Sequence, residues 1–399
     1  METQTLTATG FSADVIDHET AADLAQIGSD KWTRYPGCIG AFIAEMDYGL
    51  APVIQEAIEE AADDCKLGYI PDPWKHRVAE ACAAWQKNHY GWDVDPAYIR
   101  PVPDVLEAYE IFLREFVGAG NSVIVPTPAY MPFLSVPRLY NVDLIEIPMI
   151  EHSDGWLFDF DAIEEAFRNG CHAFVLCNPH NPIGKVLTLE EELKISELAA
   201  KYGVRVFSDE IHAPFVFDGY RHVPFASINE TTVMQAITST SASKSFNIPG
   251  TKCAQVILTN PDDLKLWMDR AEWSEHQTAT IGAIATTAAY TKGEPWFQEA
   301  LKYVKHNFDL LDSEMHGRFS KVGYVRPQGT YIAWLDFKPL GINDPSQYFL
   351  EKAKVALTDG KECGKVGAGC VRMNFAMPYP LLQECFDRMY RALHDDGLL

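Results

Sequence analysis

The sequence predicts an α/β protein: a mostly parallel sheet covered by helices, followed by a smaller second domain. Two observations carry this. Between residues 121 and 258, short apolar runs alternate with amphipathic helical patterns, as in successive strand–helix–strand units. After about residue 285 the alternation gives way to longer helical stretches. Composition agrees: 399 residues at 47% hydrophobic and 22% charged can bury a substantial core and do not resemble a disordered chain.

Taken in order, the first strand is read at Asn121–Pro126, and others at His172–Cys177, Val204–Phe207, Val233–Thr238 and Cys253–Leu258. Between them, Leu189–Ala200 has helical spacing, with Leu189, Leu193 and Leu198 on one apolar face. In the last third, Gly329–Asp336 reads as a strand and Leu381–Tyr390 as a closing amphipathic helix. The expected organisation is an N-terminal segment, 1–48, packed with the small domain, then a large domain, 49–285, and a small C-terminal domain, 286–399.

Bulk properties remove several function classes. The formal net charge of -23 repels nucleic acid and anionic membrane, so neither is expected as a partner. Nine scattered cysteines without a C-x-x-C pair read as reduced, cytoplasmic and mostly buried, and no Cys/His spacing suits a metal. The stretch Met1–Leu6 lacks the basic and apolar regions of a leader, and no apolar run approaches the ~20 residues of a membrane helix.

Chemistry gathers where strands end. Thr127–Tyr130 follows the first strand and Asn178–Gly184 the second; Ser208–His212 and Ser239–Asn247 follow two more. In an open α/β sheet, ligands bind beyond the carboxyl ends of strands, so these groups converge on one site. Lys244 follows an apolar run among small hydroxyl residues. It is either a solvated surface charge or a positioned amine, made nucleophilic by desolvation. Asp209 is either a helix N-cap or a buried carboxylate awaiting a cation. Asn178–Gly184, with two Asn-Pro steps, is either a turn cluster or part of the site.

These motifs resemble those of fold-type I pyridoxal-phosphate (PLP) enzymes of the class I/II aminotransferase superfamily. The resemblance covers nearly the whole chain and implies a large domain with a mostly parallel seven-stranded sheet plus a smaller α+β domain. Phe246–Pro249, Ser208–His212, Lys31-Trp32 and Ala44–Asp47 are most similar to the cystathionine β-lyase (C–S lyase) branch of MalY/PatB type.

The resemblance implies roles residue by residue. Lys244 carries the cofactor as a Schiff base and acts as catalytic base. Asp209 pairs with the pyridine nitrogen, Asn181 and His212 lie at the phenolic oxygen, and Tyr130 stacks on the ring. Ser241, Lys252 and the N–H groups of Val105 and Leu106 hold the phosphate. Tyr69 reaches the phosphate of a neighbouring subunit, which implies a homodimer with shared active sites. Arg372 grips the α-carboxylate of an amino-acid substrate. For His212 the alternative is a packed core histidine, and for Arg372 a surface arginine. Asp104 stands where relatives commonly have glycine.

The implied activity is β-elimination from L-cystathionine or other cysteine S-conjugates. Two alternatives stay open: an aminotransferase with the same cofactor, and a PLP-binding regulatory protein.

Overall fold

The computed structural model of the protein describes residues 9–152 and 155–399; Met1–Leu6 lies outside the described residues. Its centre is a seven-stranded sheet in the order Ile99–Val102, Ala254–Ile257, Ala236–Thr240, Arg205–Asp209, Ala173–Cys177, Ser122–Thr127, Asp143–Pro148. Ala254–Ile257 is antiparallel to both its neighbours, and every other pairing is parallel.

The central strands are apolar throughout because both faces are covered. Val123 and Val125 join one core with Tyr109, Phe112, Phe133 and Trp267. Ile124, between them in sequence, joins the opposite core with Ile163, Phe167, Ile195 and Leu198. Alternate side chains of a strand point to opposite faces, so a continuous apolar run serves two helical layers.

The structure corrects three sequence readings. Val233–Thr238 is not one strand: Asn229 caps a helix, Glu230–Gln235, and the strand begins at Ala236. Asn229 Oδ1 accepts from the N–H groups of Thr231 and Thr232, and this local capping outweighs the β propensity of Val233. The helix Leu189–Tyr202 exists, but Leu189 and Leu193 are exposed; its buried face is Glu192, Ile195, Ser196, Leu198 and Ala199. The strand expected to end at Phe207 runs on to Asp209, because Ser208 and Asp209 pair with both neighbouring strands. Asp209 therefore ends a strand and is not a helix cap.

A second, antiparallel sheet has the order Gly323–Tyr324, Ile332–Asp336, Cys370–Asn374, Thr358–Asp359. Helices Glu294–His316 and Tyr379–Asp395 accompany it. The N-terminal segment is tied to this part of the chain: Ile39–Gly40 pairs in parallel with Val355–Ala356. It is also tied to itself. Lys31 Nζ lies 2.7 Å from Asp47 Oδ2, and Trp32 Nε1 donates to Asp47 Oδ1 at 2.8 Å. The Lys31-Trp32 and Ala44–Asp47 words are thus two halves of one buried ion pair.

Candidate active site

A cavity of about 440 Å³ opens at the carboxyl ends of the four central parallel strands. Its walls include Tyr130 after the first of them, Asn181 after the second, Asp209 and His212 at the third, and Ser241 and Lys244 after the fourth. Val105, Leu106, Lys252 and Arg372 line it as well. Tyr69 does not; it stands on the surface at 91% exposure. A larger, shallower hollow of about 940 Å³, bordered by Trp156, Leu189 and Leu193, holds none of these residues.

Lys244 sits on a short helix, Ala242–Ser245, capped by Ser241, whose Oγ accepts from the Ser243 N–H at 3.0 Å and donates to Cys253 O at 2.9 Å. Its Nζ donates to Ala44 O at 2.8 Å. Burial, with the Arg372 guanidinium adding, pushes the Lys244 amine down to about 8. Asp209 is 4% exposed, and among the described residues its carboxylate accepts one hydrogen bond, from the Ile211 N–H at 3.1 Å. Burial pushes its carboxyl up to about 7. A buried carboxylate so poorly satisfied lacks a cation.

His212 shares a hydrogen bond with Thr330 Oγ1 (3.2 Å), and burial drives its imidazole down to about 3, so the ring is neutral at pH 7. It is both packed and on the cavity wall, which joins the two sequence alternatives. His180 links two of the strand-end loops by donating to Pro128 O at 2.8 Å. Arg372 lies in the strand Cys370–Asn374 at 4% exposure, not on the surface. Its Nη2 donates to Phe42 O at 2.7 Å, and Nη1 lies 3.4 Å from Asn181 Oδ1.

At the far end Val105 opens a helix, Val105–Ile111, whose N-cap Asp104 accepts from the Glu107 N–H. The same carboxylate lies 2.7 Å from Lys252 Nζ. Lys252, which lines this end of the cavity, has φ 53°, in the left-handed region.

Sequence reading packs the N-terminal segment with the small domain but does not place its residues at the site. Phe42 O accepts from Arg372 and also from Thr358 Oγ1 at 2.8 Å. Ala44 O accepts from Lys244 and from Tyr331 OH at 3.1 Å. Asn247 clamps Met46 through both its N–H and its carbonyl, at 2.9 and 2.6 Å. The signal available was the Phe42–Tyr48 run, which marks a branch in sequence but gives no hint that its backbone carbonyls face the site.

The model of the aminotransferase class I and II family matches residues 43–389. Cystathionine beta-lyase of Corynebacterium glutamicum is 34% identical over 365 residues, covering 91% of this chain and 96% of that protein. Cystathionine beta-lyase PatB of Bacillus subtilis (strain 168) is 33% identical over 378 residues, covering 92% and 96%. The crystal structure of cystalysin from Treponema denticola, which contains a pyridoxal 5'-phosphate cofactor, matches with a TM-score of 0.87 at 28% identity, covering 92% of this chain and 96% of that one.

Proposed function

Because the chain belongs to the aminotransferase class I and II family, we propose that it is a PLP-dependent carbon–sulfur β-lyase. It converts L-cystathionine or another cysteine S-conjugate, with one water, into a thiol, pyruvate and ammonia. The observation that carries the proposal is the meeting of a buried amine of lowered pKa, a buried carboxylate held by a single backbone hydrogen bond and a buried guanidinium in one cavity. The choice of elimination over transamination rests on the relatives named cystathionine beta-lyase.

The residues present fit the cofactor. Asp209, short of a cation, suits the pyridinium nitrogen, and Lys244 suits covalent attachment. Asn181 and the neutral His212 suit the phenolic oxygen, and Tyr130 the ring face. Ser241, Lys252 and the N–H groups of Val105 and Leu106 suit the phosphate. When bound, PLP supplies an aldehyde for the substrate amine and a sink for electrons released at Cα.

The chain's own residues do the rest. Arg372, held by Phe42 O and Asn181, presents its remaining N–H groups to the α-carboxylate and so orients the Cα–H bond. Lys244, freed by the substrate, takes the α-proton; a pKa of about 8 keeps a useful fraction of the amine neutral near pH 7. The electron pair left at Cα forms the Cα–Cβ double bond as the Cβ–S bond breaks, and the thiolate leaves with the sulfur's pair. Water then releases the amine from the three-carbon product.

We read the active unit as a homodimer in which Tyr69 serves the neighbouring site; its 91% exposure in the isolated chain supports this. The nine free cysteines support a reducing, cytoplasmic setting. The test is to give holoenzyme L-cystathionine without a keto acid and quantify pyruvate and thiol together. Equal, catalytic amounts bear out elimination. Turnover only after a keto acid is added makes the protein an aminotransferase.

A further inference from the structure

Two charged side chains on the cavity wall, Arg34 and Glu362, have no part in the chemistry above. Arg34 follows the short helix Asp30–Thr33, and its guanidinium lies 5.2 Å from the centroid of the Phe42 ring. Asp30 accepts from Nε and Nη2, which leaves Nη1 without a partner among the described residues. Phe42 is itself fixed, its carbonyl held by Arg372 and Thr358 and its ring edge-on to Tyr35 at 5.2 Å. One phenylalanine therefore separates two guanidiniums, with Arg372 on its carbonyl and Arg34 on its ring face.

Glu362 lies on the turn Gly360–Cys363 and is exposed, with no ion pair or hydrogen bond among the described residues. Its charge acts on Arg34 and, beside Arg372, on Cys363. Asp30 chiefly, and Glu362 at longer range, hold the Arg34 guanidinium above its ordinary range. Burial chiefly raises the Cys363 thiol, and Arg372 and Glu362 act on it with opposite signs.

A thioether bound with its α-carboxylate on Arg372 has its leaving group in the cavity whose wall also carries Arg34 and Glu362. We propose that Arg34 and Glu362 form a second subsite for the distal end of that leaving group. Arg34 takes a distal carboxylate and Glu362 a distal ammonium. The enzyme then favours S-conjugates whose thiol carries its own zwitterionic amino-acid head over those ending in plain alkyl. A second dicarboxylate end would meet Glu362 and be disfavoured. This inference rests on the lyase reading and specifies its substrate class.

The experiment compares kcat/KM of holoenzyme for L-cystathionine and S-butyl-L-cysteine, which share the reacting half but differ in distal charge. Arg34→Met keeps an apolar contact on the Phe42 ring and removes the charge; Glu362→Gln keeps shape. Each variant is expected to lose about tenfold on cystathionine, the scale of one partly exposed charge-assisted hydrogen bond, and to stay within about twofold on S-butylcysteine. Equal losses on both substrates, or no loss on either, overturn the subsite while leaving the lyase reading intact. Wild type that releases pyruvate from neither substrate overturns the lyase reading and the subsite with it.

Discussion

Asp209→Asn is expected to stabilise the apoprotein and cripple the holoenzyme. In the apo form the Asp209 carboxyl is pushed from 3.8 to about 7, chiefly by burial. Converted at about 1.4 kcal/mol per tenfold change in the ionisation equilibrium, that rise sets a ceiling of about 4 kcal/mol on the cost of ionising it in the fold. The folded pKa lies above the unfolded one, so between pH 3.8 and about 7 the native state holds more protons. Stability therefore falls as pH rises through that window, and the full cost persists above it. Asparagine removes the charge, and its Oδ1 can still accept from the Ile211 N–H. At pH 8, Asp209→Asn apoprotein should melt higher than wild type; at about 2.1 cal/mol/K per residue over 399 residues, 4 kcal/mol is worth about 5 °C. Near pH 4 the difference should vanish. With PLP the order reverses, because asparagine cannot pair with a pyridinium cation. The cofactor-induced rise in Tm should shrink, and kcat/KM should fall by about 100-fold or more if a buried charge pair of 3 kcal/mol is lost. Differential scanning of apo and reconstituted forms from pH 4 to 8 measures both. An apoprotein variant less stable than wild type at pH 8 would refute the reasoning, since Asp209 would then be a structural group already satisfied.

Lys244→Ala should abolish turnover and the visible absorbance of covalently held cofactor; normal activity in this variant would remove the central assignment. Arg372→Ala should cost about 2–5 kcal/mol of transition-state binding, roughly a 30- to 5,000-fold fall in kcat/KM, and near-wild-type kinetics would move the carboxylate site elsewhere. Asp47→Ala leaves the buried Lys31 ammonium without its carboxylate, so a urea titration should show a loss of about 3–5 kcal/mol; a loss under about 1 kcal/mol would mean the pair is dispensable. Tyr69→Phe should weaken PLP binding by about five- to tenfold, one hydrogen bond's worth, in a fluorescence titration, and an unchanged Kd would take Tyr69 out of any shared site.

How far the site was legible can be judged residue by residue. Lys244, Asp209, Asn181 and Tyr130 sit at or just after strand ends, and strand ends are readable from local apolar runs. The topology of parallel sheets then gathers them on one edge without further information. Val233 was misread because a capping asparagine four residues earlier decides helix over strand, and apolar periodicity does not weigh caps. Leu189 and Leu193 were misread for another reason. Spacing alone cannot say which side of a helix meets the sheet, and here the hollow beside Trp156 takes the leucine edge.

Local sequence, then, determined the five inner strands of the sheet and the chemistry-bearing loops after four of them, but not the edge strands Ile99–Val102 and Asp143–Pro148. Only the tertiary structure decided the substrate wall. Phe42 meets Arg372 across 330 residues of chain, Ala44 meets Lys244 across 200, and Lys31 reaches the backbone of Ala376 across 345. Such contacts run through backbone carbonyls that every residue possesses, so no side-chain pattern announces them; they exist because the N-terminal segment pairs through Ile39–Gly40 with Val355–Ala356 of the C-terminal part, in a two-stranded sheet of their own.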